Sequence, residues 1–134
     1  MLFLMLIAQD ATGLAPTVTP PSGRAAGYET DAKACVNLNK VVDALQPELP
    51  KMVDAVTRTD GISVLCAART YTTNKTLLVN ASTMRDGWQG RKQAQFDQIT
   101  CENEIFGPLA RSGWRFVMNF IFLSGERFSF VAKC

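Results

Sequence analysis

The chain has 134 residues, enough for one domain, and 47% of them are hydrophobic against 19% that are charged. This balance is typical of a globular protein rather than a disordered one. The net charge of +2, with scattered basic residues, argues against nucleic-acid binding, and the absence of histidine excludes a serine or cysteine nucleophile activated by histidine.

Four widely spaced cysteines indicate disulfides and therefore export. They are Cys35, Cys66, Cys101 and Cys134, and no two of them form a C-x-x-C pair. Four isolated thiolates would make an unusual zinc site, so we predict no metal site. An even number of dispersed cysteines in a short chain suits two disulfides in an oxidising compartment. Four buried free thiols in a cytosolic domain are the alternative.

The N-terminal segment is predicted to lie outside the folded domain. Residues 1–8 are uniformly apolar and resemble the hydrophobic region of a secretory signal, either a short one or one that begins upstream. A buried N-terminal strand is the alternative. The segment is too short to cross a bilayer, so we predict no stable membrane span. Residues 9–31, rich in Pro, Gly, Thr and Ala, are predicted to be a flexible linker before a single domain over 32–134.

The first part of that domain has helical periodicity. Apolar residues at steps of three and four predict a helix over about 32–45 and a short helical piece around 48–57. Pro47 and Pro50 interrupt this periodic stretch, because proline lacks the backbone donor that a helix needs. An Asp-Gly turn at 60–61 then ends the helical region.

Residues 62–80 predict a β-hairpin whose turn lies either at 67–68 or at 74–75. We favour the first turn, because 70–79 is one continuous run of residues that favour β structure. The corresponding strands are 62–66 and 69–80. A helix over about 91–99 follows.

The last quarter of the chain is predicted to hold most of the core. A short helix over about 103–111 ends at Ser112-Gly113, where glycine supplies left-handed geometry. Two strands rich in phenylalanine follow and are joined by a turn at 124–126. Large aromatic side chains bury the most apolar area, so this hairpin should contribute the largest share of the core.

A resemblance covers about 35–134. Cys101, Leu109, Ser112-Gly113, the aromatic hairpin with Gly125 and the closing Cys134 resemble small exported bacterial α+β domains, many of them of uncharacterised function. Three upstream stretches are also similar: Leu38-Asn39-Lys40, Leu49-Pro50-x-x-Val53-Asp54 and Thr57-x-Thr59-Asp60. The chain departs from the pattern at Gln46-Pro47, at Ser124-Gly125 and in its extra pair Cys35 and Cys66. The architecture is loosely similar to the pilotins of bacterial secretion systems, which is a likeness of fold only.

The resemblance and the way two cysteines frame the hairpin favour a Cys101–Cys134 disulfide. By elimination, Cys35–Cys66 is then the other bond. The alternative pairing is Cys35–Cys134 with Cys66–Cys101.

Together these features predict an α+β fold. An antiparallel sheet of about four strands is packed by N-terminal and central helices in the order α-(α)-β-β-α-α-β-β, with two disulfides. We expect a non-enzymatic exported domain, periplasmic or secreted, that acts by contact with another protein through the open face or an edge of the sheet. No cofactor and no catalytic residue are predicted.

Several residues are candidates for function. Trp88, Arg91 and Lys92 are candidate binding residues around a glycine-flanked loop. A small polar site of Asp54, Thr57 and Asp60 is a further candidate. The alternative function is a small hydrolase or an inhibitor-like ligand-binding protein that uses the carboxylates near Cys101, which are Asp97, Glu102 and Glu104.

Overall fold

The computed structural model describes residues 23–134, with side chains from Asp31 onward. The predicted signal-like segment 1–8 and the linker up to residue 22 lie outside these residues. The described chain is an α+β domain with three α-helices and one five-stranded sheet. The helices are α1 (Gly23–Leu45), α2 (Trp88–Glu102) and α3 (Phe106–Arg111); the strands are β1 (Lys51–Met52), β2 (Thr57–Leu65), β3 (Thr70–Leu77), β4 (Arg115–Phe122) and β5 (Arg127–Val131).

The sheet has the order β1-β2-β3-β4-β5. All neighbouring strands are antiparallel except β3 and β4, which are parallel. The sequence predicted about four strands, all antiparallel. The sheet instead has five strands, and one neighbouring pair is parallel. Helices α2 and α3 return the chain to the end of the sheet from which β3 started, and such a crossover connection makes the flanking strands parallel.

The predicted helical piece at 48–57 is wrong, because this segment forms the β1–β2 hairpin. A short 3₁₀ turn ends at Glu48. The Oδ1 atom of Asp54 accepts hydrogen bonds from the backbone N–H groups of Val56 (2.9 Å) and Thr57 (2.8 Å). Aspartate side chains commonly close turns in this way, and here the turn reverses the chain into β2.

The favoured register of the next hairpin is confirmed. Strands β2 and β3 are joined by a 3₁₀ turn at Cys66–Ala68, followed by Arg69 in left-handed geometry with φ of 49°. Several boundaries differ from the prediction: β3 ends at Leu77 and not at residue 80, and the helix predicted over 91–99 spans Trp88–Glu102. Strand β2 begins at Thr57, before the expected residue 62, and α1 begins at Gly23, so residues 23–31 of the predicted linker are helical.

The core lies between the helices and one face of β3, β4 and β5. Register pairs place Tyr71 beside Phe116 and Leu77 beside Phe122 on this face. The core is built mainly from side chains of the last quarter of the chain, as predicted. Its aromatic members with at most 8% exposure are Tyr71, Phe96, Trp114, Phe116, Phe120, Phe122 and Phe130.

The end of α3 fixes the start of strand β4. The N–H of Trp114 donates to the carbonyl of Leu109, and the N–H of Gly113 donates to that of Ala110. Together with φ of 109° at Gly113, these bonds form a Schellman motif, which confirms the predicted glycine stop. The indole of Trp114 then donates to Asp31 of α1 at 3.2 Å, so the first and last parts of the domain meet here.

Both favoured disulfides are present. Cys35–Cys66 joins α1 to the β2–β3 turn, with Cα atoms 5.7 Å apart. Cys101–Cys134 joins the end of α2 to the C-terminus, with Cα atoms 5.5 Å apart. The pairing confirms the prediction, and each bond ties a helix to a part of the chain more than one element away.

Candidate functional site

A cleft opens on the helix-covered face of the sheet, between α2 and the β1–β2 hairpin. Its volume is about 150 Å³. We call it the lysine cleft because Lys75 and Lys92 both line it. Its remaining lining residues are Val53, Asp54, Thr57, Gln95, Phe96, Ile99, Met118 and Phe120.

Lys75 occupies an unusual position for a lysine. It lies on β3, the middle strand, and its register partner on β4 is the buried Phe120. Alternation along β3 therefore places Lys75 on the same face as Tyr71 and Leu77. Burial lowers the pKa of Lys75 below its ordinary value, and the positive charge of Lys92 lowers it further, while Asp54 opposes the shift. Desolvation disfavours an ammonium ion, which accounts for the direction.

Lys92 reaches the same cleft from α2. Its Nζ lies 5.6 Å from the centroid of the Phe120 ring, within the range of a cation–π contact. Helix α2 thus supplies the second positive charge and strand β3 the first.

Asp54 and Thr57 complete the polar lining. The pKa of Asp54 is lowered first by the hydrogen bond from the Val56 N–H and also by Thr57 and the nearby Lys92. The predicted polar site is thus present in part, because Asp54 and Thr57 line the cleft. Asp60 does not join them. Its carboxylate accepts hydrogen bonds from Arg58 and Thr76 at 2.5 Å each.

The three predicted binding residues come together in a neighbouring shallow concavity of about 620 Å³ lined by Trp88, Arg91 and Lys92. Trp88 is the first residue of α2, not part of a loop as predicted. Its ring packs edge-on against Phe122 and Phe128, with centroids 5.3 and 4.9 Å apart. Trp88 is therefore largely a packing residue.

Arg91 is engaged by the loop before α2. Its guanidinium donates to the carbonyl of Asp86 at 2.9 Å. Lys92 is the member of the predicted trio that also lines the lysine cleft.

The carboxylates near Cys101 do not share one of these clefts. Asp97 Oδ1 accepts hydrogen bonds from Gln93 and from the backbone N–H of Lys133, both at 2.8 Å. Glu102 and Glu104 are exposed. Asp97 thereby joins the C-terminal segment to α2, so its carboxylate stabilises the fold.

A second, apolar groove of about 210 Å³ lies beside the edge strand β1 and meets the lysine cleft at Val53. We call it the edge groove. Its lining residues are Leu45, Glu48, Leu49, Lys51, Val53, Thr59 and Ile62. Exposed apolar side chains surround it, with Leu45, Val53 and Met52 between 41% and 52% exposed. An ion pair of 3.2 Å between Lys51 and Glu48 lies at its rim.

The opposite face of the sheet is polar. Asn119 donates to the side chain of Asn74 at 3.0 Å and accepts from Ser129 at 2.7 Å, so hydrogen bonds connect β3, β4 and β5. These residues line an open concavity of about 480 Å³ with Asp60 and Arg127. These hydrogen bonds tie the three strands together on this face of the sheet.

Two further findings concern the described part of the chain. Between residues 23 and 134, no three His, Cys, Asp or Glu side chains are grouped so that they could hold a metal ion. No helix in that range combines the length and hydrophobicity that crossing a bilayer requires.

The fold and the disulfides define a small, disulfide-bonded α+β domain. Comparison with protein-family models and with curated proteins gives no match. Among solved structures, the chain is similar to PA3611, a proposed secreted protein from Pseudomonas aeruginosa, with a TM-score of 0.63 and 12% sequence identity. The match covers 78% of this chain and 92% of that one. At this identity the likeness shows the fold alone.

Proposed function

We propose that this chain is a non-enzymatic exported domain that acts by contact with another protein, and that the edge groove is its contact surface. The observation that carries the proposal is the concentration of exposed apolar side chains around β1. Large apolar patches on a soluble domain commonly mark interaction sites. A sheet edge also offers unpaired backbone groups to a partner strand.

Export is supported by two independent features. The two disulfides suit an oxidising compartment, and the structurally similar Pseudomonas protein is itself proposed to be secreted. Protein purified from its native host should carry both bonds, which gives a mass four hydrogen atoms below that of the reduced chain. Sequencing of its N-terminus would reveal whether a leader has been removed. Four free thiols in the native protein would contradict export.

Site-specific photocrosslinking tests the contact surface. A photoreactive phenylalanine analogue at Val53 should yield a discrete adduct with another protein in the native host. The same analogue at Leu123, which is 62% exposed at the far hairpin, is the matched control and should not yield it. Val53→Glu should abolish capture of that partner, whereas Leu123→Glu should leave capture intact. Equal adducts at both positions, or none at Val53, would refute the proposed surface.

The hydrolase alternative gains no support from the carboxylates near Cys101. Asp97 is engaged by backbone and Gln93, and an acid–base pair requires two carboxyl groups that face one substrate.

A further inference from the structure

The lysine cleft combines two positive charges with apolar walls. We propose that it binds a small monoanionic carboxylate that carries an apolar group, with the carboxylate held by Lys75 and Lys92. This site is separate from the edge groove in chemistry, and it can be tested on purified protein whether or not a protein partner exists.

The charge of the site selects a monoanion. Lys75 and Lys92 contribute two positive charges and Asp54 one negative charge, so the sum of +2 and −1 is +1. A carboxylate neutralises this charge, whereas a phosphate dianion would leave an excess negative charge next to Asp54. Like charges at short range disfavour binding.

The lysines are available as donors. Within residues 31–134, neither ammonium group donates a hydrogen bond or forms an ion pair, and that of Lys92 lies over the face of Phe120. Asp54 acts on both lysines through its charge but forms no ion pair with either of them, and its Oδ1 atom accepts from the N–H groups of Val56 and Thr57. A half-buried ammonium group without a partner is unfavourable, and a bound carboxylate would supply one.

The apolar side chains that line the lysine cleft can pack against an apolar group of the ligand. Phe96, Phe120 and Met118 lie at the base of the cleft, and Val53 and Ile99 lie at its rim. A protein cavity of about 150 Å³ is known to hold a benzene molecule, so the cleft matches one small ring or a short alkyl chain. Such a carboxylate could be a free acid or the C-terminal residue of a peptide, which share this chemistry.

An NMR titration of the ¹⁵N-labelled full chain tests the site with defined probes. The probes are sodium benzoate, inorganic phosphate, and the tripeptide Gly-Gly-Phe with either a free or an amidated C-terminus. Lys75→Met and Lys92→Met keep side-chain length while removing the charge. Lys40→Met, at an exposed position of α1, is the matched control. Thermal melts establish that each variant is folded.

We expect the amide resonances of the cleft residues to shift saturably with benzoate, or with the free-acid tripeptide but not with its amide. Either result supports it, and the comparison identifies the source of the carboxylate. Each cleft lysine variant should weaken binding by about tenfold or more, since a hydrogen bond to a charged group has roughly that effect, and Lys40→Met should not. Asp54→Asn keeps the Oδ1 acceptor and removes the negative charge, so it should tighten carboxylate binding several-fold.

Four results would overturn the proposal. They are tighter binding of phosphate than of benzoate, binding that survives both lysine substitutions, shifts confined to the edge groove, and the absence of saturation with every probe.

Discussion

Gly107 has no room for the methyl group of an alanine. It is buried in the first turn of α3, where that helix meets the end of α2. A Cβ atom there would overlap the carbonyl oxygen of Cys101 and lie 3.2 Å from its carbonyl carbon. Because the obstacle is backbone, α2 and α3 must move apart, and the Cys101–Cys134 disulfide anchors the end of α2.

The expected cost follows from two opposing effects. Overpacking of this kind costs up to about 3 kcal/mol in its usual range. Alanine in place of a helical glycine returns about 1 kcal/mol. Gly107→Ala should therefore lower the free energy of unfolding by about 2 kcal/mol, which for a domain of this size lowers Tm by roughly 10 °C.

Gly90→Ala is the matched control. Gly90 also lies in a helix, α2, but a Cβ there would meet no atom within 4 Å. Its substitution should raise the free energy of unfolding by about 0.5–1 kcal/mol. Urea denaturation with unchanged m-values provides the measurement. Gly107→Ala protein as stable as the wild type would refute the steric reasoning. A smaller loss in Gly107→Ala after reduction of the disulfide would show that the anchored end of α2 sets the cost.

Three other predictions concern stability. Trp88→Ala should lower the free energy of unfolding by about 2–3 kcal/mol, because a packed aromatic ring is lost; equal, small effects of Trp88→Ala and Leu123→Ala in urea denaturation would instead assign Trp88 to the surface. Replacing Cys35 and Cys66 together by serine should lower it by roughly 3–4 kcal/mol, as expected for a loop of 31 residues, and calorimetry that finds no change would contradict a structural role. Lys75→Met should be more stable than the wild type near pH 7, since burial lowers the pKa of Lys75. Between the lowered pKa of the folded state and the ordinary value of 10.5, the unfolded wild type binds more protons than the folded wild type, so wild-type stability rises with pH. The stability difference between Lys75→Met and the wild type should therefore shrink over this range. Denaturation at pH 7, 9 and 10 measures that difference.

The last quarter of the fold could be predicted because its signals are local. Alternating phenylalanines, a turn at 124–126 and a glycine after α3 each specify structure without long-range information, and all three are confirmed. The segment 48–57 could not be predicted correctly, because apolar residues there have helical spacing although the segment is a hairpin. The turn of this hairpin is closed by hydrogen bonds from the N–H groups of Val56 and Thr57 to Asp54. The spacing of apolar residues gives no information about such bonds.

The parallel pairing of β3 and β4 has a different origin. Two short hairpins separated by helices fit either direction of pairing, and the choice depends on how α2 and α3 pack as a crossover. The lysine cleft depends on the same choice, since Lys75 and Lys92 are brought together by the register of β3 against β4 and by α2 above it. The sequence places Lys92 on a helix and Lys75 in a strand, and nothing in it indicates that the two lysines line one cleft.

One local signal could nevertheless have identified Lys75. In β3 the residues at every second position are Tyr71, Thr73, Lys75 and Leu77, so an inward-facing stripe contains a lysine. A charge at such a position lowers stability unless it has a partner, and departures of this kind from the expected pattern concentrate at functional sites. If Lys75→Met gives a more stable protein that no longer binds a carboxylate, the lysine is kept for binding at a cost in stability. If the variant is more stable and binding is unchanged, Lys75 has no role in the cleft.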